Sequence, residues 1–82
     1  MEKFKIVRKY TRGNIVIKQD TQFNNIDAEN VTIEKNVTAR LYGNIQKRLI
    51  LKKGAKIFLH GILYGDISDE GGEVHIFNGD YS

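Results

Sequence analysis

The stretch LHGILYGDI, residues 59–67, decides the fold. Gly61 and Gly65 stand four apart, and Leu59, Leu63 and Ile67 fall in the same alternation as the glycines. A glycine inside a strand weakens the pairing and packs nothing. Two of them among aliphatic residues therefore point to a chain that turns sharply between very short strands, with Gly61 and Gly65 at or beside the corners.

The rest of the chain supports this once it is written in rows of eighteen from Gly13. The rows are GNIVIKQDTQFNNIDAEN, VTIEKNVTARLYGNIQKR, LILKKGAKIFLHGILYGD and ISDEGGEVHIFNGDYS. Phe23, Leu41, Leu59 and Phe77 form an apolar column, and Asn25, Gly43, Gly61 and Gly79 form a small-residue column two places on. Further columns hold Ile15, Ile33 and Leu51; Thr21, Ala39 and Ile57; Val31, Leu49 and Ile67; and Ile45 with Leu63. Ile26 is expected to take the place of Ile45 in the first row. In the last row, either Val74 and Ile76 or His75 and Phe77 point inward.

A repeat of this length has a physical meaning. Three strands of about four residues, each followed by a corner, close one triangular coil. Coils stack at about 4.8 Å, so every strand pairs in parallel with its equivalents above and below. The expected fold is all-β: a single-stranded parallel β-helix, or β-solenoid, of about four triangular coils of ~18 residues. Residues 1–82 read as one domain, with 1–12 as an N-terminal capping strand and 13–82 as the coils. Its core should hold Ile15, Phe23, Val31, Ile33, Leu41, Ile45, Leu49, Leu51, Ile57, Leu59, Leu63 and Ile67. Gly43, Gly61, Gly65 and Gly79 are the expected corner residues, with Asn25 filling the first such place because asparagine tolerates left-handed backbone.

The run Gly61-Ile62-Leu63-Tyr64-Gly65-Asp66-Ile67 resembles the G-x-V-x-G-D-I run of bactofilins. Gly43-Asn44-Ile45-Gln46-Lys47-Arg48-Leu49 keeps the first glycine and both apolar places, with Lys47-Arg48 where the family has glycine and an acid. Leu51-Lys52-Lys53-Gly54-Ala55 is similar to the family's strand-then-small-corner element. The resemblance covers about residues 30–80. It implies a compact triangular β-solenoid and a polymer-forming, structural role in a bacterial cell. The basic stripe and acidic tail described next are not marks of that family.

Charge is divided along the chain. Lys3, Lys5, Arg8, Lys9 and Arg12 crowd the first twelve residues against Glu2 alone, while Asp66, Asp69, Glu70, Glu73 and Asp80 follow residue 65 with no Lys or Arg. A solenoid's ends are its unpaired strand edges, so these residues, with Phe77 and Tyr81, are the candidate contacts for end-to-end association or for a protein partner.

Chemistry is poorly represented. The chain has no cysteine, which suits a reducing, cytoplasmic setting, and no apolar run resembles a signal peptide or membrane span. Ser68 and Ser82 have no histidine and carboxylate at a spacing that suggests a triad. His60 and His75 lack the three convergent ligands that zinc requires and read as surface residues. The basic residues from Arg40 to Lys56 fall on at least two faces of a triangular coil, which argues against nucleic acid. The expectation is a protein with no catalytic role, no cofactor, no metal and no small-molecule substrate. Its partner is itself or another protein, as a scaffold or as a small inhibitor of the immunity-protein kind.

Overall fold

The computed structural model describes residues 4–77. Seven strands follow one another: β1 (Lys5–Val7), β2 (Thr11–Ile17), β3 (Thr21–Ile33), β4 (Thr38–Leu51), β5 (Lys56–Leu63), β6 (Asp66–Asp69) and β7 (Glu73–Phe77). All pair in parallel, in the order β1-β3-β4-β5-β7, with β2 also on β3 and β6 also on β4. The chain is a β-solenoid of about four turns with a spacing of ~18 residues.

Burial along β3 shows how the chain makes a coil. Thr21 and Phe23, Ile26 and Ala28, then Val31 and Ile33 are buried. Inside each pair the spacing is two, the period of a strand. Between pairs it is three. One additional residue at each corner turns the chain onto the next side, so β3 wraps all three sides of the coil. The register with β4 shifts at these corners, between Phe23 and Ile26 and between Ala28 and Asn30. Asn24 and Asn25 stand at the first corner where the next coil has only Tyr42. Glu29 stands alone where the next coil has Gln46 and Lys47. The two changes cancel, and the eighteen-residue period resumes.

That slippage corrects two expectations. Ala28, not Ile26, lies opposite Ile45, and Ile26 lies opposite Gly43. Asn25 is therefore not in the glycine column and does not have a left-handed backbone. The asparagine that does is Asn36 (φ 60°), at the third corner. Its amide donates to the Lys53 carbonyl at 3.2 Å, and the Gly54 amide donates to the Gly71 carbonyl at 3.0 Å. Asn36, Gly54 and Gly71 (φ 60°, 78° and 119°) form a stacked column of left-handed turns.

The column Gly43–Gly61 is present. A Cβ at Gly43 would run into the Ile26 carbonyl, and one at Gly61 into the Gly43 carbonyl. At these two positions the backbone lies too close to the carbonyl of the preceding coil for any side chain. Gly65 is short of space in the same way, against the Lys47 carbonyl.

In β2 the register again departs from strict eighteens. Ile15 pairs with Val31 and Ile17 with Ile33, so Ile15 belongs to the column of Val31, Leu49 and Ile67. Ile17 heads that of Ile33 and Leu51. In the last coil, Val74 and Ile76 continue the columns of Ile57 and Leu59, while His75 and Phe77 face outward.

The core holds Phe23, Val31, Ile33, Leu41, Ile45, Leu49, Leu51, Ile57 and Leu59 as expected, with Ile17, Ile26, Ala28, Val37, Ala39 and Ala55 in addition. Ile15 and Leu63 are partly buried against it. Ile67 is 42% exposed, although Leu49, its neighbour in the same column, is 0% exposed. Among the described residues β6 pairs on one side, with β4, so its inward residue has a floor and no described strand above it.

Candidate functional site

The solenoid presents two kinds of exposed surface: the strand edges at its ends, and the outer faces of its three sides. At the N-terminal end, β1 and β2 each pair, among the described residues, only with β3. Lys5, Arg8, Lys9 and Arg12 are all exposed there. Between β1 and β2 an open cleft of about 310 Å³ reaches Val7, Ile17 and Phe23, with Lys5 and Lys18 among its lining residues. This end is basic around an apolar floor.

At the C-terminal end, β6 and β7 are the edges. Asp66, Asp69, Glu70 and Glu73 are exposed, beside Ile67 (42%), Ile76 (39%) and Phe77 (47%). Asp69 is already engaged. One carboxylate oxygen accepts from the amides of Gly71 (2.9 Å) and Gly72 (2.7 Å), closing the last turn. The bonds from Gly72 and then Gly71 favour the charged form and hold this carboxyl below the usual aspartate range. Glu70 is 4.0 Å from Lys52 and Glu73 is 3.3 Å from the His75 ring. Both pairs are exposed and contribute little to stability.

The pairing also builds a charge ladder on the third side. Ile17, Ile33, Leu51 and Asp69 share a column, so the next residues along, Lys18, Glu34, Lys52 and Glu70, stack with alternating sign.

The first side carries a feature not anticipated from composition or spacing. Its outer face is a pair of ring ladders. Tyr42 and His60 stack with ring centres 4.5 Å apart and planes 8° from parallel, and His60 stacks on Phe77 at 4.7 Å and 18°. Phe58 and His75 stack alongside at 5.0 Å and 9°. In-register parallel pairing places these residues one strand spacing apart, and ring planes then lie face to face. The Arg40 guanidinium sits 5.1 Å over the Phe4 ring and donates to the Gln22 side-chain oxygen at 3.2 Å. The detectable signal was the shared column of Tyr42 and His60. Phe77 joins only through the seventeen-residue step to the last coil.

The structure thus brings the predicted basic residues to one end and the acidic residues to the other. Lys3, Gly79, Asp80 and Tyr81 lie outside the described residues. Phe77 belongs to the ring ladder as well as to the end. Among the described residues no group of three His, Cys, Asp or Glu could hold a metal, and no helix is long and apolar enough to cross a membrane. Compared with protein-family models, curated proteins and solved structures, the chain matches none. The likeness to bactofilins is one of solenoid architecture, consistent with their fold.

Proposed function

We propose that this chain is a structural protein of bactofilin-like character that associates with itself through the ends of its solenoid and catalyses nothing. The observation carrying this reading is the pairing of two properties at each end. Among the described residues, each end has parallel edges with no further strand, beside exposed apolar residues, and the two ends have opposite charge. Open edges template further strands. Basic β1–β2 and acidic β6–β7 attract one another and repel their own kind. A head-to-tail contact is heterologous, so it propagates into filaments unless the rotation closes.

The competing reading is a small inhibitor whose acidic end covers a basic protein partner. The concentration of Asp66, Glu70 and Glu73 beside an apolar rim supports it. Sedimentation separates the two. Self-association through the ends should appear at low salt and weaken as exposed charges are screened beyond about 8 Å near physiological ionic strength. It should disappear when Asp69, Glu70 and Glu73 are all reversed to lysine. A wild-type chain that stays monomeric at high concentration and low salt would transfer the acidic end to a foreign partner.

A further inference from the structure

The end-to-end reading uses strand edges and leaves the ringed outer face of the first side unexplained. We propose that this face pairs with the same face of a second copy, about a two-fold axis running across the strands' stacking direction through Tyr42.

The face is a grid. Its five levels, in order, are β1, the first turns of β3, β4 and β5, and β7. The register gives the outward columns Thr38, Lys56, Glu73; Ile6, Gln22, Arg40, Phe58, His75; and Tyr42, His60, Phe77, and the residues adjoining paired ones extend the first by Phe4 and Asp20 and the last by Arg8 and Asn24. An antiparallel two-fold axis keeps each column facing itself and reverses the levels. Lys56 then meets Asp20 of the second copy, Phe77 meets Arg8, His75 meets Ile6, and Phe58 meets Gln22. Each contact occurs twice.

Charge selects this arrangement. Arg40 lies on the central level, where it would face its own copy. Its guanidinium is instead drawn over Phe4, and the residue opposite Phe4 in the second copy is Glu73. Two like charges are thereby replaced by two ion pairs. The alternative two-fold axis, along the stacking direction, would exchange the outer columns and leave the levels alone. It sets Lys56 against His60 and Asp20 against Asn24, and it pairs no opposite charges. Apolar content agrees: Ile6 (47% exposed), Tyr42 (38%) and Phe77 (47%) all lie on this face.

Size sets the strength. Five levels at about 4.8 Å and three columns about 7 Å apart bury roughly 400 Å² per copy, about half of a standard stable interface. The pair is therefore weak alone and is reinforced where chains are already aligned by their ends. It is isologous and closes at two copies.

The natural chain has no cysteine, so a single introduced thiol reports its own neighbours. Stacked sheets lie about 10 Å apart, within reach of a short bis-maleimide. Tyr42→Cys, on the axis, should give covalent dimer as the main product. His75→Cys, four levels from its own equivalent in the pair, should lose that product. Thr38→Cys, on the central level, should behave like Tyr42→Cys and guards against a local effect of removing the tyrosine ring. Adding Lys56→Glu to Tyr42→Cys should abolish the crosslink, since glutamate then meets Asp20. Carrying out the Tyr42→Cys reaction in a chain bearing Asp66→Lys and Glu70→Lys weakens end association without touching the Asp69 turn or Glu73, and should leave the dimer. Equal crosslinking of Tyr42→Cys and His75→Cys, or no dimer from either central cysteine, overturns the proposal without touching the end-to-end reading.

Discussion

Leu49 and Ile67 occupy the same column of the same side, and one is fully buried while the other is 42% exposed. Leu59 and Ile76 repeat the contrast at 0% and 39%. Neither pair differs in residue class or inward direction. What differs is the number of coils in contact. A coil in the middle of the stack is covered above and below, and a terminal one, among the described residues, on one side only. In a solenoid, burial comes from nearest neighbours along the stack, so the same pattern yields a core in the middle and an adhesive surface at the end.

The largest expected effect tests this contrast directly. Leu59→Ala should destabilise by about 2–5 kcal/mol through lost burial and a cavity, a large share of so small a domain's stability. Ile76→Ala and Ile67→Ala should each cost much less, on the order of 1 kcal/mol, because half of their contacts are already missing. Urea denaturation of the three variants is the measurement, and equal losses would break the comparison.

The corner column gives the next test. Gly43→Val and Gly61→Val drive a side chain into a stacked carbonyl, and both should unfold the chain or come close to it. Gly13 has φ 87° but nothing within 4 Å of a Cβ. Gly13→Val should cost only the backbone strain, about 1–3 kcal/mol. Thermal melts in which Gly13→Val is as damaging as the other two would show that close approach is not what the column requires.

The ring ladder sharpens the comparison on the outer face. His60 has a ring on each side, Tyr42 and Phe77, whereas among the described residues His75 stacks on Phe58 alone. His60→Ala should cost about 1–3 kcal/mol and His75→Ala about half of that, at roughly 0.5–1.5 kcal/mol per ring pair. Denaturation midpoints at pH 8 read the difference.

The smallest effect belongs to the terminal turn. The carboxyl of Asp69 is held below its ordinary range by the Gly72 and Gly71 amides. A depressed folded-state value means the stabilisation is present above the unfolded aspartate pKa of about 3.9 and is lost as pH falls through the lower folded value. Melting temperatures of wild type and Asp69→Ala should therefore differ at neutral pH and converge in acid below that point. A difference that persists there would mean the turn does not depend on the charge.

Most of the fold was legible because the repeat is strong where coils have neighbours on both sides. The columns Phe23–Leu41–Leu59, Thr21–Ala39–Ile57, Val31–Leu49–Ile67 and Ile45–Leu63 all recur as paired strands. Errors gathered where a corner gains or loses a residue. Asn25 matched Gly43 by counting, but the two-residue corner at Asn24-Asn25 moved Ile26 into that place. In the first coil the step is sixteen, so Ile15 joins Val31, and in the last it is seventeen, so Ile76 joins Leu59. Corners tolerate such changes because they carry few inward side chains, and counting along a sequence cannot locate a compensated insertion. The acidic and basic ends were legible as runs of charge. The engagement of Asp69 with its own turn was not, since it depends on where two amides point.

What the sequence determined by itself is the architecture: short apolar pairs, small residues at fixed intervals and an eighteen-residue period admit few structures other than a stacked coil. It also determined the charge of each end of the described stack, because coils stack in the order in which they follow one another along the chain. Tertiary structure alone decided the register at the imperfect corners, the exposure of Ile67 and Ile76, and the assembly of Tyr42, His60 and Phe77 into one ladder. Those three rings lie eighteen and seventeen residues apart, and only parallel pairing at one strand spacing brings them face to face. The physical reason is that alternation and period are local properties of a chain, while stacking and burial belong to the neighbours a coil acquires once the chain has wound upon itself.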